Sequence, residues 1–509
     1  MSEFQMSLKK RYLKNSFFNV IGWLWISILA MVTIPIVIHH IGIEQYGILA
    51  LVNLILGYFA FLDFGLGEAV VKFVSEYQAK SSTHQINKTI NSILFLYIII
   101  GLVGAILIIF FARFYAIKLF KISQKFEYVA RLSFYLAALG FLLNLIMGVF
   151  SRIPEGLQRF DIASKVMIVM GTLVNLGNII VVLRGGELIS LVIVSLFGSF
   201  LGIFLYYVCS RKILENLQIN FKFSWKDFKK IFSFGLYTVF TKLALVISSS
   251  LFQMIIGVIF GPVSVAVYNV PNRLLSRIEA FGYRVSYVIF PMVSELKAGN
   301  DIDRIQRIYE KLSRYMFYIL SIFYISIVSF GHSVLRYWIG KDFAEKSFLV
   351  LILISFGSYL NSISMVPSLV VYGMGKPKYN AIFSMISGML SIILLIPLSH
   401  KFGIAGSSAA FLISSFNVPF FIMIVNNHII KISSIRYFKN VFLKGSIVTF
   451  LLISFYILVL NKLVKDLWSF LFVFLASLLI SVLIFYFNVD IQDRKTILSK
   501  LKILSALQY

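Results

Sequence analysis

Residues 17–38 read FFNVIGWLWISILAMVTIPIVI, without one charged side chain. The hydrocarbon core of a bilayer is about 30 Å thick, and a helix needs roughly 20 apolar residues to cross it. The stretch is too long for the core of a signal peptide and no small-residue cleavage site follows it, so it reads as a retained first span. Lys9, Lys10, Arg11 and Lys14 stand just before it. Basic flanks of this kind stay on the cytoplasmic side.

Outward from this stretch, segments of spanning length recur at 46–66, 90–112, 128–150, 162–183 and 188–209. A basic linker over 210–230 follows, then segments at 231–260, 263–292, 315–338, 347–373, 379–400, 403–428, 441–461 and 466–488. The expectation is an all-α polytopic membrane protein of about fourteen transmembrane helices. Composition agrees, since 59% of the 509 residues are hydrophobic and 13% charged, against about 45–50% and 25% in soluble domains. A soluble enzyme and a disordered chain are both excluded. One cysteine, Cys209, rules out a disulfide framework, and the scattered histidines offer no zinc spacing. The adjacent pair His39 and His40 reads as a solvated helix end.

The net charge of +26 would suggest nucleic acid on a soluble protein. Here the basic residues are spread over many short loops and form no nucleic-acid motif, so membrane lipids with anionic headgroups are the expected neighbours. With the N-terminus in the cytoplasm, that side holds more than twice as many Lys and Arg as the other, which places both termini inside. The loop 113–131, with Arg113, Lys118, Lys121, Lys125 and Arg131, is the exception: basic, yet outside.

Two junctions repeat at nearly one spacing. Gly42-Ile-Glu-Gln-Tyr-Gly47 aligns with Gly261-Pro-Val-Ser-Val-Ala266, and Gly156-Leu-Gln-Arg159 aligns with Gly373-Met-Gly-Lys376 at almost the same offset along the chain. Together they predict duplication of a six-span unit. The lobes would cover 1–225 (spans 1–6) and 226–430 (spans 7–12), with two appended spans and a cytoplasmic tail over 431–509. Six is even, so the halves would be parallel.

Four basic residues fall in the interior of spans, more than a turn from either end: Lys242 in span 7, and Arg273, Arg277 and Arg284 in span 8. A cation at bilayer depth costs about 2.5–3.5 kcal/mol on insertion scales, so it usually faces a wet cavity. At about 100° per residue, with Arg273 at zero, Arg277 falls near 40° and Arg284 near 20°, one narrow face. Asn272, Ser276, Glu279 and Tyr283 lie at roughly 240–300° and complete a polar flank, while apolar residues fill roughly 80–200°. Arg273 lies about 18 Å along the helix from Gly261, near mid-bilayer. A guanidinium keeps its proton and can hold a phosphate by two parallel hydrogen bonds. The three arginines would thus receive a diphosphate, although Arg284 and Lys242 could equally reach the headgroups. Glu279, and Asp63 in Leu62-Asp-Phe-Gly-Leu-Gly67-Glu68, are candidate carriers of a coupling proton or sodium ion; for Glu279 the plainer alternative is a polar contact with Ser276 or Tyr283. Asn272 and Tyr283 are candidate polar lining. Pro35, Pro271, Pro291, Pro367 and Pro397 predict kinks within spans.

Span 1, the Gly42-x4-Gly47 junction, Leu62-Asp-Phe-Gly-Leu-Gly67 followed by Ala69-Val-Val-Lys72, and the Gly-Leu-Gln-Arg159 turn resemble the polysaccharide-transporter family. Its best-known members are the Wzx-type O-antigen flippases, in a superfamily shared with multidrug exporters and lipid II flippases. The resemblance implies two six-helix lobes in a V around a central cavity, plus two C-terminal helices, in a bacterial inner membrane. It implies a substrate of short oligosaccharide on undecaprenyl diphosphate, flipped from the cytoplasmic to the periplasmic leaflet for O-antigen, capsule or exopolysaccharide synthesis. Partners would include a polysaccharide polymerase and a chain-length regulator, with no nucleic acid and no cofactor beyond a coupling ion. Lipid II flipping and multidrug export are the neighbouring alternatives. Lipid II flippases would carry arginines in spans 1 and 2, which are absent here, and cation export would need buried carboxylates in mid-span of the first lobe, which has none. A polymerase or ligase would need a large outer loop with catalytic residues, and the loop 113–127 is short.

Overall fold

The computed structural model describes residues 3–63, 66–214, 216–220, 225, 251–443, 454, 456 and 466–489, and these form helices joined by short turns, with no strand among them. In hydrocarbon a backbone N–H or C=O has no water to bond, so each spanning segment closes its own hydrogen bonds as a helix. α1 (Glu3–Phe59) carries the first two spans in one run, bent at Gly42, whose φ of 81° falls where a side chain would be strained. A 3-10 turn (Ala60–Asp63) leads to α2 (Leu66–Ala79), α3 (Thr83–Arg113), α4 (Gln124–Gly156), α5 (Phe160–Leu183) and α6 (Leu188–Ile213). Then come α7 (Leu251–Phe260), α8 (Pro262–Ser286), α9 (Ile289–Ala298), α10 (Ile302–Trp338), α11 (Lys341–Ile363) and α12 (Met365–Gly373). The chain continues through α13 (Lys378–Ser415), α14 (Val418–Ile424), α15 (Ser434–Tyr437) and α16 (Leu467–Asn488).

Among the described residues eight helices are long and apolar enough to cross a membrane. The chain is a polytopic membrane protein. α8, with 25 residues, has the length but too many charges to belong to that group. Most of the spans expected over 231–260 and 441–461 lie outside the described residues. The chain divides into two compact units, Met1–Asn269 and Val270–Tyr509. The expected join of the lobes at 225–226 falls in the stretch 221–250, where Trp225 alone is described.

Two expected spans are shorter or broken, each for the same reason. The sequence predicts span 8 over 263–292, but α8 ends at Ser286 and α9 begins at Ile289. Pro291 has no N–H to offer the Tyr287 carbonyl and its ring crowds that carbonyl, so the helix opens one turn earlier. Likewise Pro367 lies one turn beyond Ile363, and α11 stops there. In the first unit the corresponding residue is Phe150, and α4 runs unbroken to Gly156.

The second half of the chain repeats the first in detail. Residues of positive φ pair at a nearly constant spacing: Gly42 with Gly261, Ser81 with Asn300, Lys121 with Gly340, Gln158 with Gly375, and Gly185 with Gly403. The starts of α3 and α10 are separated by the same interval as Gly42 and Gly261, while α4 and the pair α11–α12 keep one offset at both their beginnings and their ends. Side chains follow suit. Asn87 donates to the Asn216 carbonyl at 2.7 Å, and Gln306, its counterpart in the repeat, donates to the Ile430 carbonyl at 2.9 Å.

Lipid tails are as apolar as leucine, so helices associate here through close packing at small residues. A Cβ on Gly101 would lie 2.4 Å from Leu142, and one on Gly104 2.4 Å from the Phe141 ring. Large apolar side chains such as Phe110, 75% exposed, and Leu479, 68% exposed, are left for the acyl chains.

The closest repeated contact can be tested. A Cβ on Gly156 would meet Val74 at 2.9 Å and the Val71 carbonyl at 3.1 Å; one on Gly373 would meet Val293 at 2.8 Å and the Phe290 carbonyl at 3.0 Å. Gly156→Val and Gly373→Val should therefore each cost about 1–3 kcal/mol of stability. Thermal unfolding of the full-length protein in detergent should show two similar losses. Tolerance at one site and not the other would contradict the equivalence.

Candidate functional site

α8 presents two opposite faces. Leu275 is fully buried and Ser286 is buried. A Cβ on Gly282 would lie 3.2 Å from Leu320 of α10 and 3.2 Å from the Met365 sulfur of α12. Glu279 hydrogen-bonds the Ser358 hydroxyl of α11, and Phe281, on the flank, meets Phe323 edge-on at 5.5 Å. Leu275, Glu279, Gly282 and Ser286 share about 180–240° of the wheel, across from Arg273, Arg277 and Arg284 at about 0–40°. Arg273, Arg277 and Arg284 thus stand across the helix from these packed residues. Arg273 and Arg277 are half-buried and Arg284 is exposed. One turn apart, Arg273 and Arg277 repel each other.

The other residues of the expected polar flank divide. Asn272 is half-buried, Ser276 is exposed and donates to the Arg273 carbonyl at 2.9 Å, and Tyr283 is exposed beside Tyr287. Glu279 does not share their surroundings. It is turned between helices, and its partner is Ser358 of a neighbouring helix rather than Ser276 or Tyr283. Tyr324 of α10 joins the same network, bonded to Ser358 and, at 3.0 Å, to Ser362. Tyr359 packs on Tyr324 with ring centres 5.5 Å apart and hydrogen-bonds Ser321 at 2.7 Å.

Asp63 belongs to a network of the first unit. Its Oδ1 accepts from the Gly67 amide at 3.2 Å, which starts α2, and from the Tyr97 hydroxyl. Arg152 lies within electrostatic reach of both Asp63 and Glu68, and is paired with Glu155 at 2.7 Å. Lys242 lies outside the described residues. Among the described residues no group of three or more His, Cys, Asp or Glu side chains could hold a metal ion.

Because each half of the chain repeats the other, it serves as a control for what the fold requires. Asn144 donates to Gly140 and accepts from Ser199, and its counterpart Asn361 donates to Gly357 and to Ser415. Both halves keep this polar tie, so it is part of the frame. The arginines are different. In the register that pairs Gly42 with Gly261, Arg273, Arg277 and Arg284 correspond to Leu54, Tyr58 and Gly65. Glu279, Tyr324, Ser358 and Ser362 correspond to Ala60, Ala105, Phe141 and Leu145, and the last three are buried apolar side chains. Conversely Asp63, Tyr97 and Arg152 correspond to Gly282, Met316 and Leu369. In the other half α3 and α4 thus pack without the hydroxyls that Tyr324, Ser358 and Ser362 bring to α10 and α11.

Ser358, Tyr324 and Ser362 escape sequence reading because serine and tyrosine occur throughout membrane helices. Arg152 reads as a loop cation in the sequence, yet it lies on α4. The signal that exposes all four is comparison of the two halves, position by position.

The comparisons with known proteins agree with this picture. Residues 12–297 match the model of a family described as polysaccharide biosynthesis protein. A Shigella flexneri protein named as an O-antigen transporter is 23% identical over 78% of this chain and 93% of its own length. A Haloferax volcanii protein, named as a flippase of low-salt glycan biosynthesis, is 25% identical over 39% of this chain and 41% of its own. Among solved structures, the inward closed lipid II flippase MurJ superposes with a TM-score of 0.73 at 17% identity, covering 94% of this chain and all of that one. An inward-facing multidrug MATE transporter gives 0.66 at 13% identity, over 79% and 94%. These likenesses carry the fold, and the match over more than half the chain carries the family: this protein belongs to the polysaccharide biosynthesis protein family.

Proposed function

We propose that this chain is a flippase that moves undecaprenyl-diphosphate-linked oligosaccharide repeat units from the cytoplasmic to the periplasmic leaflet by alternating access. It would serve O-antigen, capsule or exopolysaccharide synthesis from the bacterial inner membrane, with both termini in the cytoplasm. The observation that carries the reading is the line of Arg273, Arg277 and Arg284 on the face of α8 opposite its packed side. A diphosphate cannot enter hydrocarbon without charge compensation, and guanidinium groups supply it without losing a proton. The spacing of one turn between Arg273 and Arg277 suits two adjacent phosphates, and Arg284 extends the line toward the end of the helix.

The lipid portion asks for apolar surface. The second unit holds an apolar hollow of about 430 Å³, bordered by Phe317, Tyr359, Ile422, Met423, Tyr437 and Phe442. Such a hollow suits a segment of a prenyl chain. The names of the Shigella and Haloferax relatives support the same class of substrate. A polymerase and a chain-length regulator would receive the product on the far side.

Two measurements test this reading. In a Cys209→Ser background, Arg273→Cys and Arg277→Cys should react with a water-soluble thiol reagent in membranes, and Leu275→Cys and Gly282→Cys should not. Equal protection of both faces would place the arginines away from water and sink the reading. In a deletion strain, Arg273→Ala and Arg277→Ala should each reduce surface polysaccharide about 10- to 100-fold, since a hydrogen bond to a charged group contributes about 1.5–3 kcal/mol. The protein should stay in the membrane and the lipid-linked precursor should accumulate inside. Lysine at either position should recover part of the loss, keeping charge without the planar fork.

A further inference from the structure

The basic loop 113–131 has no part in holding a diphosphate on α8. Here α3 ends at Arg113, a π-helical turn (Phe114–Leu119) follows, and α4 starts at Gln124. Arg113, Lys118, Lys121 and Lys125 are all exposed, while Ala116, Phe120 and Ile122 among them are buried. The turn is seated on its neighbours. A Cβ on Gly257 would lie 3.3 Å from the Phe120 ring, and one on Gly261 3.5 Å from the Phe120 carbonyl. The cations are thus held on a packed tip. The one acid of the loop, Glu127, stands 3.8 Å from Arg131.

The matching turn of the second half is built without these charges. In the pairing of Gly42 with Gly261, Arg113, Lys118 and Lys121 correspond to His332, Tyr337 and Gly340; in that of α4 with α11, Lys125 corresponds to Asp342. The loop carries five bases and one acid, and its counterpart 332–350 three bases and two acids. Lys121 has a φ of 47°, in the left-handed region where the other half places Gly340. A Cβ is costly there, so lysine stands against the preference of the backbone. Basic residues on the outer side also oppose insertion in the right orientation. Below them, exposed Val103, Ile106, Phe110, Phe114 and Ile117 lie on one narrow face of the helix, and Lys118 and Lys121 begin where this stripe ends. Tyr128 is exposed nearby on α4. Apolar surface that gives way to tyrosine and lysine marks the level of the headgroups.

We propose that Arg113, Lys118, Lys121 and Lys125 bind the phosphates of anionic phospholipids in the outer leaflet and so hold the α3–α4 hairpin at a fixed depth. The placement outside rests on the topology given with the flippase reading; the lipid site is independent of what is transported. Lysine and arginine near a membrane surface are drawn to anionic headgroups, and ammonium and guanidinium groups donate hydrogen bonds to phosphate oxygens. Because the cations continue a lipid-facing stripe, their partner is a lipid rather than an acidic protein.

The test uses the full-length protein in liposomes. In a Cys209→Ser background, a fluorophore on Ile117→Cys should be quenched at least about twofold more by spin-labelled phosphatidylglycerol than by spin-labelled phosphatidylcholine at equal mole fraction. Salt at about 0.5 M should weaken the preference. Lys118→Gln, Lys121→Gln and Lys125→Gln combined should abolish it, and arginine at the same three positions should keep it. Lys121→Gly should lower the preference without loss of thermal stability, which separates lost charge from lost fold. Equal quenching by the two lipids, or a preference that survives the triple glutamine variant, would overturn the proposal. So would a fall in surface polysaccharide in the triple variant when the parent shows no lipid preference, which would assign the patch to an acidic protein. In spheroplasts, Lys121→Cys in the Cys209→Ser background should react with an impermeant thiol reagent added outside; reaction only after lysis would overturn the outer placement. Full polysaccharide in Arg273→Ala would remove the flippase reading and leave the lipid preference as it is, so the two fail separately.

Discussion

A guanidinium group does not shed its proton, and hydrocarbon does not solvate it. Every arginine on a membrane-spanning helix must therefore be given a place where its charge is met by water, by an anion or by headgroups. In this protein that requirement decides how α8 is used. Leu275, Gly282 and Ser286 are buried in the second unit, Glu279 reaches Ser358 of a neighbouring helix, and Arg273, Arg277 and Arg284 stand on the opposite side. Rotating the helix by half a turn would drive three cations into a packed interior, at a cost no contact there could offset. The orientation of α8 is thus fixed from both faces at once.

The remainder of the frame rests on a second constraint, that helices in lipid gain little from burying apolar surface against each other. Close approach at glycine replaces the hydrophobic effect as the adhesive, which explains the contacts of Gly101 and Gly104 with α4 and the matched contacts of Gly156 and Gly373. Single prolines then set where the copies diverge in shape. α4 is one helix where α11 and α12 are two, and Pro367 against Phe150 accounts for the difference.

Duplication of the unit also separates structure from chemistry. The tie of Asn144 to Ser199 recurs as Asn361 with Ser415 and belongs to the frame. The charges on α8, the hydroxyl network around Glu279 and the cluster of Asp63, Tyr97 and Arg152 occur once each, at positions where the other half carries apolar residues, glycine or, opposite Arg277, Tyr58. The two repeated halves carry their polar groups unequally. Such asymmetry is what a transporter of an asymmetric molecule, charged at one point and greasy elsewhere, would be expected to need.

The sequence by itself determined the class of protein, the positions of most spans and the shared face of the three arginines. Those follow from local quantities: the run of apolar residues needed to cross a bilayer and the angle between successive side chains on a helix. It also carried the duplication, visible in Gly42 with Gly261 and Gly156 with Gly373. Only the tertiary structure decided which way Glu279 points, because the wheel groups it with Ser276 and Tyr283 while the neighbours that claim it come from helices far along the chain. Ser358 and Tyr324 belong to α11 and α10, and no periodicity within α8 records what those helices bring to its side. The breaks at Ser364 and after Ser286 were legible as prolines but not as breaks, since a kinked and an interrupted helix begin from the same residue and differ in what packs around it.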